Sequence, residues 1–470
     1  MKSGGVHPCG KGGLRVEAAE YARNDARMSP ASPSIVIVGA GPAGCTLAAL
    51  LAQRGIASVV FDDDKRPDLL VGESLIPGVV PLFRRLRVED SVAAMSVRKP
   101  GASFFVTDDG PRLHFSFKNV EGHLPPYAYN TPRPELDNLL RLRAEELGAR
   151  FVHARAELEV CQRDGQPSLR LSQRSGDQAG LKSDAEPLLV DATGRTRVFS
   201  RLLNLPSLRG ERDDIAYFAH FEDFAHDEVE PGQVIISVLR AGWSWRIPLP
   251  GRLSVGIVVT KEHARTLGTS AEERLENAIR QEPLLSAKAT HARRVSPVMT
   301  YTNYQLLSAR GHGPGWVLLG DAFGFVDPML SPGLFMSLEG ARQLDECVFA
   351  HTDILHRPEA LERALQSYGR RIVQWHHAWS ELVRYFYDGR IFSIHLAGKN
   401  LAAQPSPFNL ASQMERHTTF HIASMASGGY TRSGYSRGLL RFLARHLVWD
   451  VPEAENFAVR SLPQPLAQAA

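Results

Sequence analysis

Ser34-Ile-Val-Ile-Val-Gly-Ala-Gly-Pro-Ala-Gly44 reads as a short strand, a glycine turn and the start of a helix. Residues 34–38 are apolar and mostly β-branched, as a strand buried inside a parallel sheet requires. Gly39, Gly41 and Gly44 hold the G-x-G-x-x-G spacing. That spacing permits a tight turn, lets backbone approach a pyrophosphate, and packs the following helix close to its strand. The helix is expected over 45–54, with Gly55 ending it, and a second strand over 57–61 runs into Asp62. A carboxylate there lies at the distance that reaches an adenosine ribose. Strand, turn, helix, strand and acid together point to dinucleotide binding in an α/β fold.

The 470-residue chain is long enough for two or three cooperating domains, and its 43% hydrophobic content supplies their cores. A formal net charge of +3 is close to neutral, so the arginines at 84–87 and 432–445 read as solvated helix faces and not as a nucleic-acid footprint. Cys9, Cys45, Cys161 and Cys347 are scattered without C-x-x-C spacing, which implies neither a disulfide framework nor a metal site and fits a reducing cytoplasm. No window carries the run of apolar residues that crosses a bilayer. Residues 1–32 are polar, mixed in charge and without the apolar core of a secretory signal; they are expected to be a disordered extension, with Met28 an alternative start.

Further along, a short helix is expected over 79–86, strands over 102–106 and 112–117 joined by a turn at 107–111, and a helix from Arg133 to about Leu147 with Pro134 in its first turn. A strand at 188–190 runs into Asp191. Alternating strands rich in aromatic residues fill 217–259, and 273–293 reads as mostly helical. The nucleotide fold resumes at 316–321, a helix begins near Pro332, and the chain beyond Glu359 is helix-rich. The expected organisation is therefore a discontinuous cofactor domain at 33–98, 132–215 and 305–345, a substrate domain at 99–131 and 216–304, and a mostly helical region at 346–470. Aromatic residues at 217–224 and 386–392 suit a cavity for a flat ring or ordinary packing, and those at 375–379 and 385–387 suit a cover for the substrate cavity or core, with core the first reading.

Three signatures, residues 133–137 beginning at Arg133, 191–195 beginning at Asp191, and Gly320-Asp321, resemble the flavin monooxygenase group. In that group the Gly-Asp pair meets the FAD pyrophosphate and ribityl chain. Further segments narrow the likeness. Trp243-Ser-Trp245-Arg-Ile-Pro248 resembles the W-x-W-x-I-P of flavin-dependent halogenases, and Phe325-Val-Asp327-Pro-Met-Leu-Ser331-Pro-Gly333 is similar to their F-x-D-P-x-x-S-x-G segment. Lys99, in Val97-Arg-Lys99-Pro-Gly101, stands where halogenases place a catalytic lysine, and Gly72-Glu73-Ser74 matches the G-E-[SA] ahead of it. Ser74-Leu75 and the short chain resemble the phenol and pyrrole branch more than the tryptophan-specific one.

The resemblance implies a three-layer FAD-binding fold of the flavin monooxygenase type, interleaved with an antiparallel substrate sheet and followed by C-terminal helices. It implies that Gly39, Gly41, Gly44, Asp62, Arg133, Asp191, Gly320 and Asp321 serve FAD, supplied as FADH2 by a partner flavin reductase. Ser331, Pro332 and Gly333, at a helix start, would hold chloride or bromide, with Ser331 able to cap the helix as well. Oxidation of the halide then yields a hypohalous species. Lys99 guides it by hydrogen bond or as a haloamine, Glu73 orients Lys99, takes a proton or meets the flavin edge, and Trp243 and Trp245 form a wall between flavin and substrate. The implied substrate is a phenolic or pyrrole-like ring, free or tethered to a carrier protein. An aromatic hydroxylase on the same scaffold and a noncatalytic flavin-binding interaction protein are the competing readings.

Overall fold

The computed structural model describes residues 34–65, 69–106, 111–226, 229–350, 353–404 and 409–446. The readings of the 1–32 extension, Met28, most of the 107–111 turn and residues 447–470 lie outside them.

Strand Ile35–Val38 is fully central: it pairs in parallel with Ser58–Asp62 on one side and Leu188–Asp191 on the other, with Ile37 opposite both Val60 and Val190. Trp316–Leu318 and His312–Gly313 extend the sheet past Leu188–Asp191, and Arg150–His153 extends it past Ser58–Asp62. Its strands thus come from four separated stretches of chain, and only the His312–Gly313 edge runs antiparallel among the described residues. Helices Pro42–Gln53, Arg133–Glu146 and Pro332–Cys347 pack against this layer and one another. The first helix begins at Pro42, three residues ahead of the expected start, because Gly41 takes extended geometry as its cap and Pro42 supplies the favoured first-turn φ.

The second sheet runs in the order Gly324–Phe325, Met299–Ser308, Ser207–Glu222, Arg252–Thr260, Gly242–Leu249, Val234–Leu239, Gly101–Phe105 and Pro111–Ser116. It is antiparallel except where Val234–Leu239 meets Gly101–Phe105 in parallel, the join between two stretches separated by part of the cofactor fold. A small ladder matters more than its size indicates. Val97–Lys99 pairs with Ala128–Asn130, and Asn130 bridges Ser74, so positions far apart in sequence meet at Lys99.

The helical reading of 273–293 holds only in part. Helix Ala271–Gln281 ends at Glu282, which is extended because Pro283 disfavours helical geometry in the residue before it, and one short turn, Pro283–Ser286, follows. Helices Pro358–Tyr387, Arg390–Ala402, Leu410–Ala426 and Gly434–His446 make up the C-terminal region. Trp375, Trp379, Tyr385 and Tyr387 are buried there. The aromatic residues at 217–224 divide: Tyr217, Phe221 and Phe224 enter a separate core on the far face of the second sheet, while Phe218 meets Trp245 at 5.7 Å between ring centroids.

Candidate active site

Two cavities adjoin between the sheets. The larger, about 610 Å³, is lined by Gly39, Gly41, Asp62, Arg133 and Asp321. The smaller, about 90 Å³, holds Glu73, Trp243, Trp245, Ser331 and Gly333 in its wall. Val71, Gly72, Tyr301, Phe325, Gly333 and Leu334 belong to both, which makes them the partition.

The glycine turn fits a bound pyrophosphate. A Cβ at Gly41 would meet nothing within 4 Å, so its bare backbone faces open cavity at a helix N-terminus whose N–H groups favour anions. Gly39 has φ +107° and a Cβ there would lie 2.5 Å from the Ala192 carbonyl oxygen; a Cβ at Gly44 would lie 2.1 Å from that of Gly39. Gly39 therefore makes the turn, Gly44 brings helix onto strand, and Gly41 is left to the ligand. Asp62 closes its strand with a buried carboxylate at the cavity wall. These donors, the acid and the uncrowded glycine suit FAD, and the cavity is of a size for it.

At the opposite wall, burial raises the Asp321 carboxyl to about 6 against the opposing pull of Arg195 and Arg133. Arg195 lies over the Tyr301 ring at 3.6 Å, and Ser337 Oγ approaches Asp321 Oδ1 at 3.5 Å. Arg133 donates to the Val71 carbonyl at 2.6 Å and pairs with Asp137 at 3.1 Å, which fixes the 71–73 segment against the cavity. Gly320, with φ +60°, turns the chain into Asp321 without itself lining the cavity.

The sequence reading of Asp191 as a cofactor ligand is corrected by its contacts. Its Oδ1 accepts from Thr193 N and Oγ1 and its Oδ2 from Phe199 N, at 3.0, 2.6 and 2.8 Å. The carboxylate is spent on shaping its own loop, and Thr193, Gly194 and Thr196 of that loop line the cavity instead.

Lys99 is buried, and its Nζ donates to Ser74 Oγ at 2.7 Å and to the Leu75 carbonyl at 2.9 Å. No acid pairs with it among the described residues, so desolvation lowers its pKa to about 7. Both N–H bonds of a neutral amine then have acceptors and the lone pair is left over. Glu73 does not orient Lys99: its Oε1 lies 2.6 Å from His220 Nε2. The two residues face different partners because successive side chains point to opposite sides of an extended segment, and Ser74, next after Glu73, is the one turned to Lys99.

Trp243 and Trp245 project from one face of strand Gly242–Leu249 with ring centroids 5.8 Å apart. Trp245 crosses the adjacent strand where Gly256 leaves room, since a Cβ there would fall 2.2 Å from its ring. Trp243 Nε1 donates to Tyr387 Oη at 3.0 Å, and Tyr387 Oη donates to Asp327 Oδ1 at 3.0 Å. Asp327 also accepts from Met329 N and so braces the segment leading to Ser331. The Tyr387 link and His220 escaped the sequence reading. Tyr387 is the last residue of a 30-residue helix and His220 an isolated histidine in a strand; neither position carries a local signal.

Ser331 is left-handed, φ 57°, and its side chain makes no cap bond, contrary to expectation. Its N–H is used by the Pro328 carbonyl at 3.0 Å, and Pro332 has none. Of the three residues read as the halide site, Gly333 alone lines both cavities, and it stands in the first turn of helix Pro332–Cys347, where backbone N–H groups have no partner within the helix.

The family model described as "FAD binding domain" matches residues 33–347. A tryptophan 2-halogenase of Chondromyces crocatus is 27% identical, the alignment covering 76% of this chain and 68% of that protein. A 1H-pyrrole-2-carbonyl-[peptidyl-carrier protein] chlorinase of Pseudomonas fluorescens is 26% identical over 67% of this chain and 75% of its own. The relatives thus fall on both sides of the branch distinction drawn from Ser74-Leu75. Among solved structures, the flavin-dependent brominase Bmp2 superposes with a TM-score of 0.68 at 19% identity, covering 88% of this chain and 99% of that one. A flavoprotein/dehydrogenase from Cytophaga hutchinsonii superposes with a TM-score of 0.69 at 19% identity, over 88% and 98%. The family model covers about two thirds of the chain, and the cofactor turn and the larger cavity suit its ligand: the chain belongs to the FAD binding domain family, and within it is similar to flavin-dependent halogenases.

Proposed function

We propose that this enzyme installs chloride or bromide on an electron-rich aromatic ring, phenolic or pyrrole-like, using Lys99 to deliver the oxidised halogen. The observation that carries the reading is a lysine buried without a counter-ion, one hydrogen bond behind the Ser74 wall of a tryptophan-lined cavity that adjoins the FAD cavity. FAD, bound and reduced by a partner flavin reductase, supplies with oxygen the oxidising power that turns halide into a hypohalous species. The chain's own residues do the rest. The Gly333 N–H and the start of its helix favour the halide at the partition. Tyr301, Phe325 and Leu334 of the partition, and not Trp243 and Trp245 as the sequence implied, stand between substrate ring and flavin and disfavour direct oxygen transfer, while the two tryptophans wall the ring in within the smaller cavity alone.

Neutral Lys99 attacks the halogen of the hypohalous species: an N–X bond forms, the O–X bond breaks, and hydroxide leaves with the amine proton as water. The ring carbon then takes the halogen from nitrogen. A charged Lys99 would act instead as a hydrogen-bond donor to the oxidant, and its lowered pKa favours the first route. The apolar wall of Val234, Ile236 and Ile247 suits a flat ring. Likeness to a carrier-protein chlorinase supports testing tethered as well as free substrates.

Purified protein with FAD, a flavin reductase, NADH, oxygen and bromide should brominate members of a panel of phenols and pyrroles, free and carrier-bound, as read by mass spectrometry. Hydroxylated products formed whether or not bromide is present would favour the hydroxylase reading instead.

A further inference from the structure

We propose that His220, held by Arg252, is the positioning residue that aims Glu73 at the substrate ring as acceptor of the proton lost in substitution. The proposal rests on the halogenation reading above. Glu73 is buried, lines the tryptophan-walled cavity, and bonds to His220 Nε2 through Oε1 at 2.6 Å. Arg252 Nε donates to His220 Nδ1 at 3.1 Å. A guanidinium has no acceptor and stays charged, so Nδ1 must offer its lone pair. The imidazole is then neutral, carries its proton on Nε2, and donates it to the Glu73 carboxylate.

The rest of His220 is pinned as well. Its N–H donates to Ser296 Oγ at 2.9 Å and its carbonyl accepts from Val295 N at 2.8 Å, within strand Ser207–Glu222. With Oε1 engaged, Oε2 is the Glu73 oxygen left for the cavity; no hydrogen bond to it occurs among the described residues. The Thr131 N–H fixes the Glu73 backbone through its carbonyl at 2.7 Å. Lys99 forms no ion pair with Glu73 and is turned to Ser74 and Leu75, so delivery of halogen and removal of proton fall to separate groups.

The step balances simply. A ring carbon gives an electron pair to the halogen, forming C–X as the bond from halogen to its carrier breaks. The C–H bond then breaks, its electrons restore the aromatic ring, and the proton passes to Glu73 Oε2. A carboxylate swinging freely would meet this proton in few of its orientations, and the bond from His220 holds it in one.

The test uses the full chain with FAD and a flavin reductase, and two readouts. Imidazole ¹⁵N NMR, with the His220 signal assigned by its loss in His220→Gln, should show the tautomer protonated at Nε2; protonation at Nδ1 would overturn the proposal whether or not the protein halogenates. The second compares ring-deuterated with ordinary phenols and pyrroles that wild type brominates. Wild type should show no isotope effect on turnover. His220→Leu should lose kcat roughly tenfold or more with KM little changed and gain a normal isotope effect, as proton removal becomes slow. His220→Gln, whose amide can still donate to Glu73, should recover most of the rate. Loss of rate in His220→Leu without an isotope effect, or equal loss in both variants, would make His220 a packing residue and sink the proposal. Absence of bromination by wild type, with the Nε2 tautomer present, overturns the halogenation reading and the proton-acceptor role that rests on it, and leaves only the His220–Glu73 contact standing.

Discussion

At the residue scale the chemistry depends on what burial does to two groups. Desolvation pushes Lys99 down to about 7, so its neutral, nucleophilic fraction grows as pH rises through that value. Halogenation per bound FAD should therefore climb across neutral pH. Lys99→Arg should remain at least roughly 100-fold below wild type throughout, because a guanidinium donates hydrogen bonds but offers no lone pair. A Lys99→Arg protein with wild-type turnover would exclude the haloamine route.

Asp321 is displaced in the opposite direction, up to about 6, chiefly by burial. In the proposed site a ribityl hydroxyl would donate to the ionised carboxylate, so FAD binding would compete with protonation and affinity should fall as pH drops through about 6. Fluorescence titration of FAD at several pH values checks this. Asp321→Asn should bind more weakly and flatten the dependence, and an unchanged pH profile in that variant would place the titrating group elsewhere.

At the scale of elements, the glycine turn separates folding from binding. A Cβ at Gly39 collides with backbone at a positive φ, whereas one at Gly41 enters open cavity. Gly39→Val should fail to fold stably, while Gly41→Val should keep its circular dichroism spectrum and thermal midpoint but lose FAD on gel filtration. FAD retained by Gly41→Val would overturn the pyrophosphate assignment. The helix start at Pro332 leads to a second test: crystals soaked in bromide should show anomalous density within hydrogen-bond reach of the Gly333 N–H. Saturating bromide with no peak there, in protein that still brominates, would move the halide site. The Tyr387 bridge between Trp243 and Asp327 is a third element-level contact. Tyr387→Phe leaves the Trp243 N–H without its acceptor in a buried setting and should cost about 1–3 kcal/mol by denaturant unfolding.

At the scale of the whole molecule, local signals travelled well and long-range ones did not. The run from Ser34 to Asp62 announced strand, turn, helix and acid because each step depends on neighbours in sequence. Lys99 was legible only through its flanking pattern, since its burial arises from pairing with Ala128–Asn130 and the bridge from Asn130 to Ser74. Asp191 was misread because an acid after a strand looks alike whether it binds ligand or its own loop; the N–H groups of Thr193 and Phe199 decide between them. Ser331 was misread as a cap for a similar reason, its left-handed backbone having been set by the turn from Pro328. His220 meets Glu73 across 147 residues, a distance at which no spacing argument operates. Among the described residues no helix is long and apolar enough to cross a membrane, in keeping with the absence of such a run from the sequence.

The most direct measurement on the central claim is bromination by Lys99→Ala, assayed with FAD, a flavin reductase, NADH, oxygen, bromide and a ring substrate that wild type brominates, with FAD occupancy measured on the same sample. Lys99 lines neither cavity and reaches the smaller one only through Ser74, so FAD should be retained in full while brominated product disappears. Bromination by Lys99→Ala at nearly the wild-type rate, with FAD bound, would contradict the role given to the buried lysine and with it the account of how this active site works.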